Sequence, residues 1–241
     1  MAAAGAAGAW NPGLLTDPNC VALYNFASGA LTTDSKGTND LTNVNGVNEC
    51  TAIKGIGCAD FEKDNNQYFS RADTLLSDDF PLKSGTENNK ISVCSWVKPE
   101  SMSADGVVFS KFRWSNQTKS FAITIKTNGF VELKIGYDTL AEVVCTFGTA
   151  LTVGKLYHVG VTYDGDTKEG RIRIFDNAAG DQLGVDAINT GAQVINIRDA
   201  SVMIGAWDLG LSTIDAQLAE MPIFNDILTP DEIDKIRQGT F

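Results

Sequence analysis

Residues 121–135 run FAITIKTNGFVELKI: two apolar-rich segments, Phe121 to Ile125 and Phe130 to Ile135, on either side of Asn128-Gly129. An Asn-Gly pair tolerates the positive φ values of a type I′ turn, so this stretch predicts a β-hairpin. Downstream, Tyr157 to Tyr163 (YHVGVTY) leads through Asp164-Gly165 to Arg171 to Phe175 (RIRIF), where Ile172 and Ile174 face one way and Arg171 and Arg173 the other. That two-residue period belongs to a half-buried antiparallel strand. Further strands are expected at 22–26, 57–61, 67–70, 91–98, 106–111, 201–206 and 217–224. A single helix closes the chain. Thr229-Pro230-Asp231-Glu232 has the residue types of an N-cap, a proline at N1 and a capping-box glutamate at N3. Leu228 and Ile233 stand at hydrophobic-staple positions, and Gly239 can end the helix. Many short strands and one late helix predict an all-β fold, a two-sheet antiparallel jelly-roll sandwich.

Composition narrows the partners. The chain of 241 residues carries 19 basic and 30 acidic residues, a formal charge of −11, and no basic cluster. Nucleic acid is therefore excluded, because phosphate neutralisation needs grouped Lys and Arg. No apolar run is long enough to span a bilayer. Residues 1–17 are expected to form an N-terminal arm before one domain at 18–241. Its start, Met1 to Trp10 (MAAAGAAGAW), lacks a basic n-region and a Leu-rich h-region, and suggests a flexible arm rather than a signal peptide. Five cysteines without a C-x-x-C, and a single histidine, His158, make a zinc site improbable. Cys50 and Cys58 are close enough to pair across a hairpin; the alternative leaves all five thiols free.

The strand sequences themselves resemble a known family. Ala22 to Leu41 (ALYNFASGALTTDSKGTNDL) is similar to the opening strand and Asp-Ser-x-Gly-x-x-Asn loop of laminin-G-like modules of the concanavalin A-like superfamily. Gly57 to Phe69 (GCADFEKDNNQYF), Ile91 to Pro99 (ISVCSWVKP), Leu156 to Gly165 (LYHVGVTYDG) and Ile214 to Ile233 (IDAQLAEMPIFNDILTPDEI) resemble later elements in the family's order. The resemblance implies a jelly roll used mostly to bind glycans, proteins or cell surfaces, with a minority of relatives acting as glycoside hydrolases.

Catalysis is not expected. A retaining glycosidase needs two carboxylates about 5 Å apart, and the Glu-x-Asp-x-(x)-Glu strand of the related glucanases is missing. Asp215 and Glu220 are an odd number of residues apart, which would place them on opposite faces of one strand. His158 is expected to be a half-buried strand histidine. The resemblance implies a structural Ca²⁺ held by Asp34, Asn39 and Asp40 of the opening loop with Glu220 of the closing strand. The family's closing Ile-Asp-Glu triplet is here Leu218-Ala219-Glu220, so one expected ligand is alanine. The alternative is a turn whose Asp and Asn cap their own backbone. For ligand contact, Phe112, Arg113 and Trp114 are expected on a loop, with Trp207 on the same rim, suited to stacking on sugars or anchoring a protein. Trp96 is expected in the core.

Small acidic relatives of this build resemble virion components. The expected role is a non-catalytic decoration, head-fibre or tail-adhesin module on a virion surface, anchored by its arm among neighbouring structural proteins, as an oligomer or part of an assembly. The alternative is an extracellular or cell-surface lectin, with or without calcium, binding surface glycans.

Overall fold

The computed structural model describes residues 11–113, 118–137, 140–190, 194–208 and 210–241, with the backbone alone at 140–144. Among the described residues, seventeen strands follow one short helix, α1 (Pro12–Thr16). They are β1 (Cys20–Tyr24), β2 (Thr42–Val44), β3 (Asn48–Glu49), β4 (Ala59–Phe61), β5 (Tyr68–Arg71), β6 (Lys90–Pro99), β7 (Gly106–Arg113), β8 (Thr118–Ile125) and β9 (Val131–Tyr137). Then come β10 (Leu140–Phe147), β11 (Tyr157–Asp164), β12 (Glu169–Asp176), β13 (Asp181–Gln182), β14 (Ala187–Asn189), β15 (Val202–Ile204), β16 (Ala216–Ala219) and β17 (Met221–Phe224), before α2 (Pro230–Gln238).

These strands form two antiparallel sheets. One runs β13-β12-β11-β6-β16-β4-β3, with β14 on β12, β17 on β6 and β1 on β17; the other runs β10-β9-β8-β7-β15-β5-β2. The apolar sets predicted from alternation meet between them. Val93 and Val97 of β6, Val159 and Val161 of β11, and Ile172 and Ile174 of β12 share one core with Phe109 of β7, Phe121 and Ile123 of β8, and Leu133 and Ile135 of β9. Removing these side chains from water drives the two sheets together.

The first sheet also buries its outer face. There α2 packs Ile233 and Ile236, with Leu228 just before it, onto Leu23, Cys94 and Phe224, and Leu14 of α1 lies beside them. Gly160 makes this close approach possible, since a Cβ there would lie 2.6 Å from Ile233 Cγ2. The helix starts as its sequence predicts: Thr229 Oγ1 accepts from Glu232 N–H, Glu232 accepts from Thr229 N–H at 2.8 Å, and Gly239 ends it at φ 72.

Three local departures have clear causes. The predicted type I′ turn at Asn128-Gly129 is a three-residue loop: Gly129 N–H donates to Lys126 O, and Gly129 alone takes the left-handed region at φ 81. It is a type I turn with a glycine bulge. The single closing strand expected at 217–224 is broken at Glu220, whose φ of 45 separates β16 from β17. Residues 11–17 are not detached from the domain. Asn11 is buried, donating its side-chain amide to Ile236 O at 2.6 Å and accepting from Phe241 N–H at 3.0 Å, and Leu14 is buried under α2. Met1 to Trp10 lie outside the described residues.

Lys111 on β7 is a buried cation. Its ammonium contacts Asp73 at 2.7 Å and donates to Arg198 O, tying the 73–84 and 195–200 segments to the second sheet. Burial lowers its pKa, with the Asp73 hydrogen bond and charge opposing that. Lys111→Met leaves the buried Asp73 carboxylate without its counter-ion, holding only the Ser84 N–H, and should cost about 3–5 kcal/mol in urea unfolding, whereas Lys111→Met with Asp73→Leu should recover most of it. Equal losses in the single and double variants would remove this role.

Candidate functional site

Four loops converge at one end of the sandwich. After β4 the chain makes a single 3-10 turn, Lys63–Asn65, and closes it with Asn66 at φ 51, whose N–H reaches Lys63 O at 3.0 Å. Between β6 and β7, the 100–105 loop is pinned by Glu100 N–H on Asp215 O at 2.9 Å. The β8–β9 turn contributes Thr127. The fourth loop, 207–213, begins with reciprocal hydrogen bonds between Trp207 and Leu211 and turns through positive φ at Asp208, Gly210 and Ser212. Non-glycine residues hold that region only when their surroundings enforce it, and such strain gathers at functional loops. Here Val107 N–H binds Ser212 O, Thr213 Oγ1 binds Lys63 O, and the Tyr68 ring abuts Gly210.

Between these loops lies an open groove of about 760 Å³, lined by Lys63, Asp64, Asn66, Asp105, Thr127 and residues 210–213. Lys63 Nζ donates to Ser103 Oγ at 3.0 Å. Burial opposes ionisation of Asp105, but the Lys126 ammonium and Thr127 N–H that bind its carboxylate outweigh this and lower its pKa. Leu211, 57% exposed, stands at the edge as the one large exposed apolar side chain of the lining. Carboxylates, an amide, an ammonium and hydroxyls around an open trough can exchange hydrogen bonds with a polyhydroxylated ligand.

The expected aromatic loop is different in three dimensions. Phe112 and Arg113 end strand β7 instead of standing on a loop, and Phe112 is 1% exposed, which removes it from ligand contact. Trp207 is half-buried and stacks on Phe112 at 5.4 Å, with Lys134 Nζ 5.2 Å over its ring. Arg113 pairs with Asp208 at 3.8 Å. Trp114 lies outside the described residues. The feature that separates them is strand length: β7 runs to Arg113, two residues past the strand end expected at Lys111.

The four expected calcium ligands do not form a cation site. Both oxygens of the buried Asp34 are taken by amides: Oδ1 accepts from Leu23 and Lys36 N–H, Oδ2 from the N–H and side chain of Asn39. Four bonds fill the acceptor capacity of a carboxylate. Asn39 further binds Val21 O and Ser77, and Asp40 Oδ1 accepts from Asp34 N–H. Glu220 turns elsewhere, under α2, accepting from Asn11 N–H at 3.4 Å. The opening loop therefore caps its own backbone.

Other acids do meet. Asp60, Glu62 and Glu100 present oxygens within 4.8 Å of one another on the outer face of the first sheet, a donor set suited to a hard cation. Glu100 is raised to about 7 by burial and by its hydrogen bond and repulsion with Asp60. Adjacent strands place them there, through the pairing of Gln217 with both Asp60 and Lys98, and no single stretch of chain predicts it. The structure pairs Cys50 with Cys58, Cα atoms 5.1 Å apart, and leaves Cys20, Cys94 and Cys145 as buried thiols. His158 is fully buried edge-on against Trp96, and burial lowers its pKa to about 3, so it is neutral.

Residues 65–234 match the laminin-G-type family described as the concanavalin A-like lectin/glucanases superfamily. The chain belongs to that superfamily. No curated protein matches it in sequence. Among solved structures, it is similar to domain 4 of AbnA, an extracellular arabinanase of Geobacillus stearothermophilus, solved in complex with arabinotriose. The TM-score is 0.61 at 19% identity, over 90% of this chain and 98% of that one. It also resembles the botulinum neurotoxin type G receptor-binding domain (TM-score 0.61, 14% identity, 91% and 51% coverage) and the binding domain of Paraclostridial Mosquitocidal Protein 1 (TM-score 0.64, 12% identity, 92% and 52% coverage). The chain spans about half the length of these last two. At such identities the likeness establishes the fold.

Burial raises the Glu220 carboxyl from 4.5 to about 7, partly offset by the Asn11 N–H. Because the folded-state value is the higher one, the stability from its protonated form is complete below about 4.5 and is lost as pH rises through about 7. Glu220→Gln should therefore raise the unfolding free energy more at pH 8 than at pH 5, by up to about 3 kcal/mol. A parallel profile for both proteins would show that Glu220 ionises without cost.

Proposed function

We propose that this chain is a carbohydrate-binding module that holds a glycan in the loop-rim groove. The observation that carries this reading is the convergence of four backbone-pinned loops on a trough of hydrogen-bonding side chains. Sites on rigid supports suit recognition, since little ordering entropy is lost when ligand arrives. The binding-domain neighbours and the superfamily support a non-catalytic binding module, and the neighbour covered almost completely was solved with a bound arabino-oligosaccharide.

Calorimetric titration with neutral oligosaccharides, arabinotriose first, tests this directly. Asp105→Ala and Asn66→Gly should each weaken binding about tenfold while the protein stays folded, glycine keeping the left-handed turn at 66. Silence across a glycan array, or binding indifferent to both substitutions, would refute the groove as the site.

The setting proposed with it is a virion surface, where such a module would engage host glycans. That placement is supported by the sequence resemblance to small virion modules, with Met1 to Trp10 as the anchoring segment. Deleting those ten residues should then abolish incorporation into the assembly and leave glycan affinity unchanged. Normal incorporation of the truncated chain would contradict it.

A further inference from the structure

A second recess lies on the outer face of the first sheet, away from the loop rim, between the last turn of α2 and the disulfide-closed loop. Two adjoining cavities of about 370 and 90 Å³ share Lys54, Trp96, Arg237 and Gln238 in their walls. The larger lies within the roughly 300–1,000 Å³ range of small-ligand sites.

Each cation is held in place by independent features. The Cys50–Cys58 disulfide closes a loop whose tip is a two-residue turn, with reciprocal hydrogen bonds between Ile53 and Ile56. Lys54 and Gly55 take φ of 54 and 78 there, the geometry of a type I′ turn. Ile53 and Ile56 anchor the tip by packing on Trp96 and Ala219. Lys54 thus stands with its Nζ 5.5 Å from the Trp96 ring centroid and 3.2 Å from Asn177 Oδ1. Across the recess, the Arg237 guanidinium lies 3.6 Å over the Phe175 ring, and its Nε meets Asp234 at 3.5 Å. Among the described residues no acceptor engages the two terminal nitrogens of Arg237, and Asn177 alone engages Lys54.

Asp234 pairs with Arg237 only through Nε and is shared with Arg173. Asp234 binds Arg173 at 2.7 Å, and Asp176 caps the amides of Ala178 and Ala179. Glu220 lines the smaller cavity, but burial raises its pKa to about 7, so it is largely uncharged in mildly acidic solution. In a protein of net charge −11, this recess presents two fixed cations with unused donors.

We propose that the recess is a second binding site, taking the carboxylate or sulfate of an anionic saccharide between Lys54 and Arg237. A guanidinium with both terminal nitrogens available offers bidentate bonds to such a group. The amides of Asn177 and Gln238 stand beside it for sugar hydroxyls. The anion part stands on these charges alone; the saccharide part rests on the glycan-binding reading above.

Calorimetry on the full chain separates the two. The probes are trigalacturonate, a heparin-derived hexasaccharide, a neutral galacto-oligosaccharide and inorganic sulfate. Lys54→Gly relieves the left-handed strain at that residue and preserves the turn while removing the amine, so it keeps the fold. It and Arg237→Gln should each weaken the acidic probes roughly tenfold, and added salt should weaken them further. Asp105→Ala should leave the acidic probes unchanged. Loss of the neutral probe alone would strike the loop-rim reading and spare this one. No acidic binding, or acidic binding unchanged in Lys54→Gly, would overturn the site. Sulfate binding as tight as the acidic saccharides would overturn its saccharide assignment.

Discussion

Burial of β6 on both of its faces constrains most of what surrounds it. Ile91, Val93 and Val97 point into the space between the sheets, while Cys94 and Trp96 point outward and are also buried. A sheet with one solvated face needs no cover. Here the outer face must be roofed, and α2, residues 11–16 and the disulfide-closed loop supply the roof. Trp96 alone removes a large apolar area from water, which favours keeping the disulfide-closed loop in place. The same roof creates the cationic recess, because two separate covering elements meet over Trp96 without closing the gap between them.

Polar residues inside the domain organise loops. Asp34 gathers four N–H donors and shapes the opening loop; Lys111 and Asp73 hold two long connections to the second sheet. A buried carboxylate surrounded by amides is stable and specific, yet it has no acceptor capacity left for a cation. The charge available for ligands is therefore displaced to loops and edges, where Asp64, Asp105, Lys54 and Arg237 keep contact with solvent. The rim loops and the walls of the recess keep their shape because their backbone is pinned elsewhere.

The strands that carry a two-residue alternation were legible in the sequence, as were the capping box, the staple and the stop of α2. The short edge strands were not: β2, β3, β13 and β14 are two or three residues long and mostly exposed, so they leave no apolar period. Phe112 looked like a loop aromatic because Lys111 and Arg113 flank it, but Lys111 is a buried cation, so polarity there did not mark the end of β7. Glu220 looked like a member of one continuous strand. Its left-handed backbone is set by the kink between two pairings, β16 with β4 and β6, and β17 with β1 and β6.

Alternating apolar residues, turn chemistry and helix caps act over a few neighbours, so the sequence alone determined that this chain would form an antiparallel two-layer sandwich closed by one helix. The same order of motifs placed it in its superfamily. Sites form from side chains far apart in the chain, and only the tertiary structure decided them. Lys54 and Arg237 line one recess, and Asp64, Asp105 and Thr127 one groove, because strand pairing and the covering helix bring those backbones together. No local pattern encodes such distances.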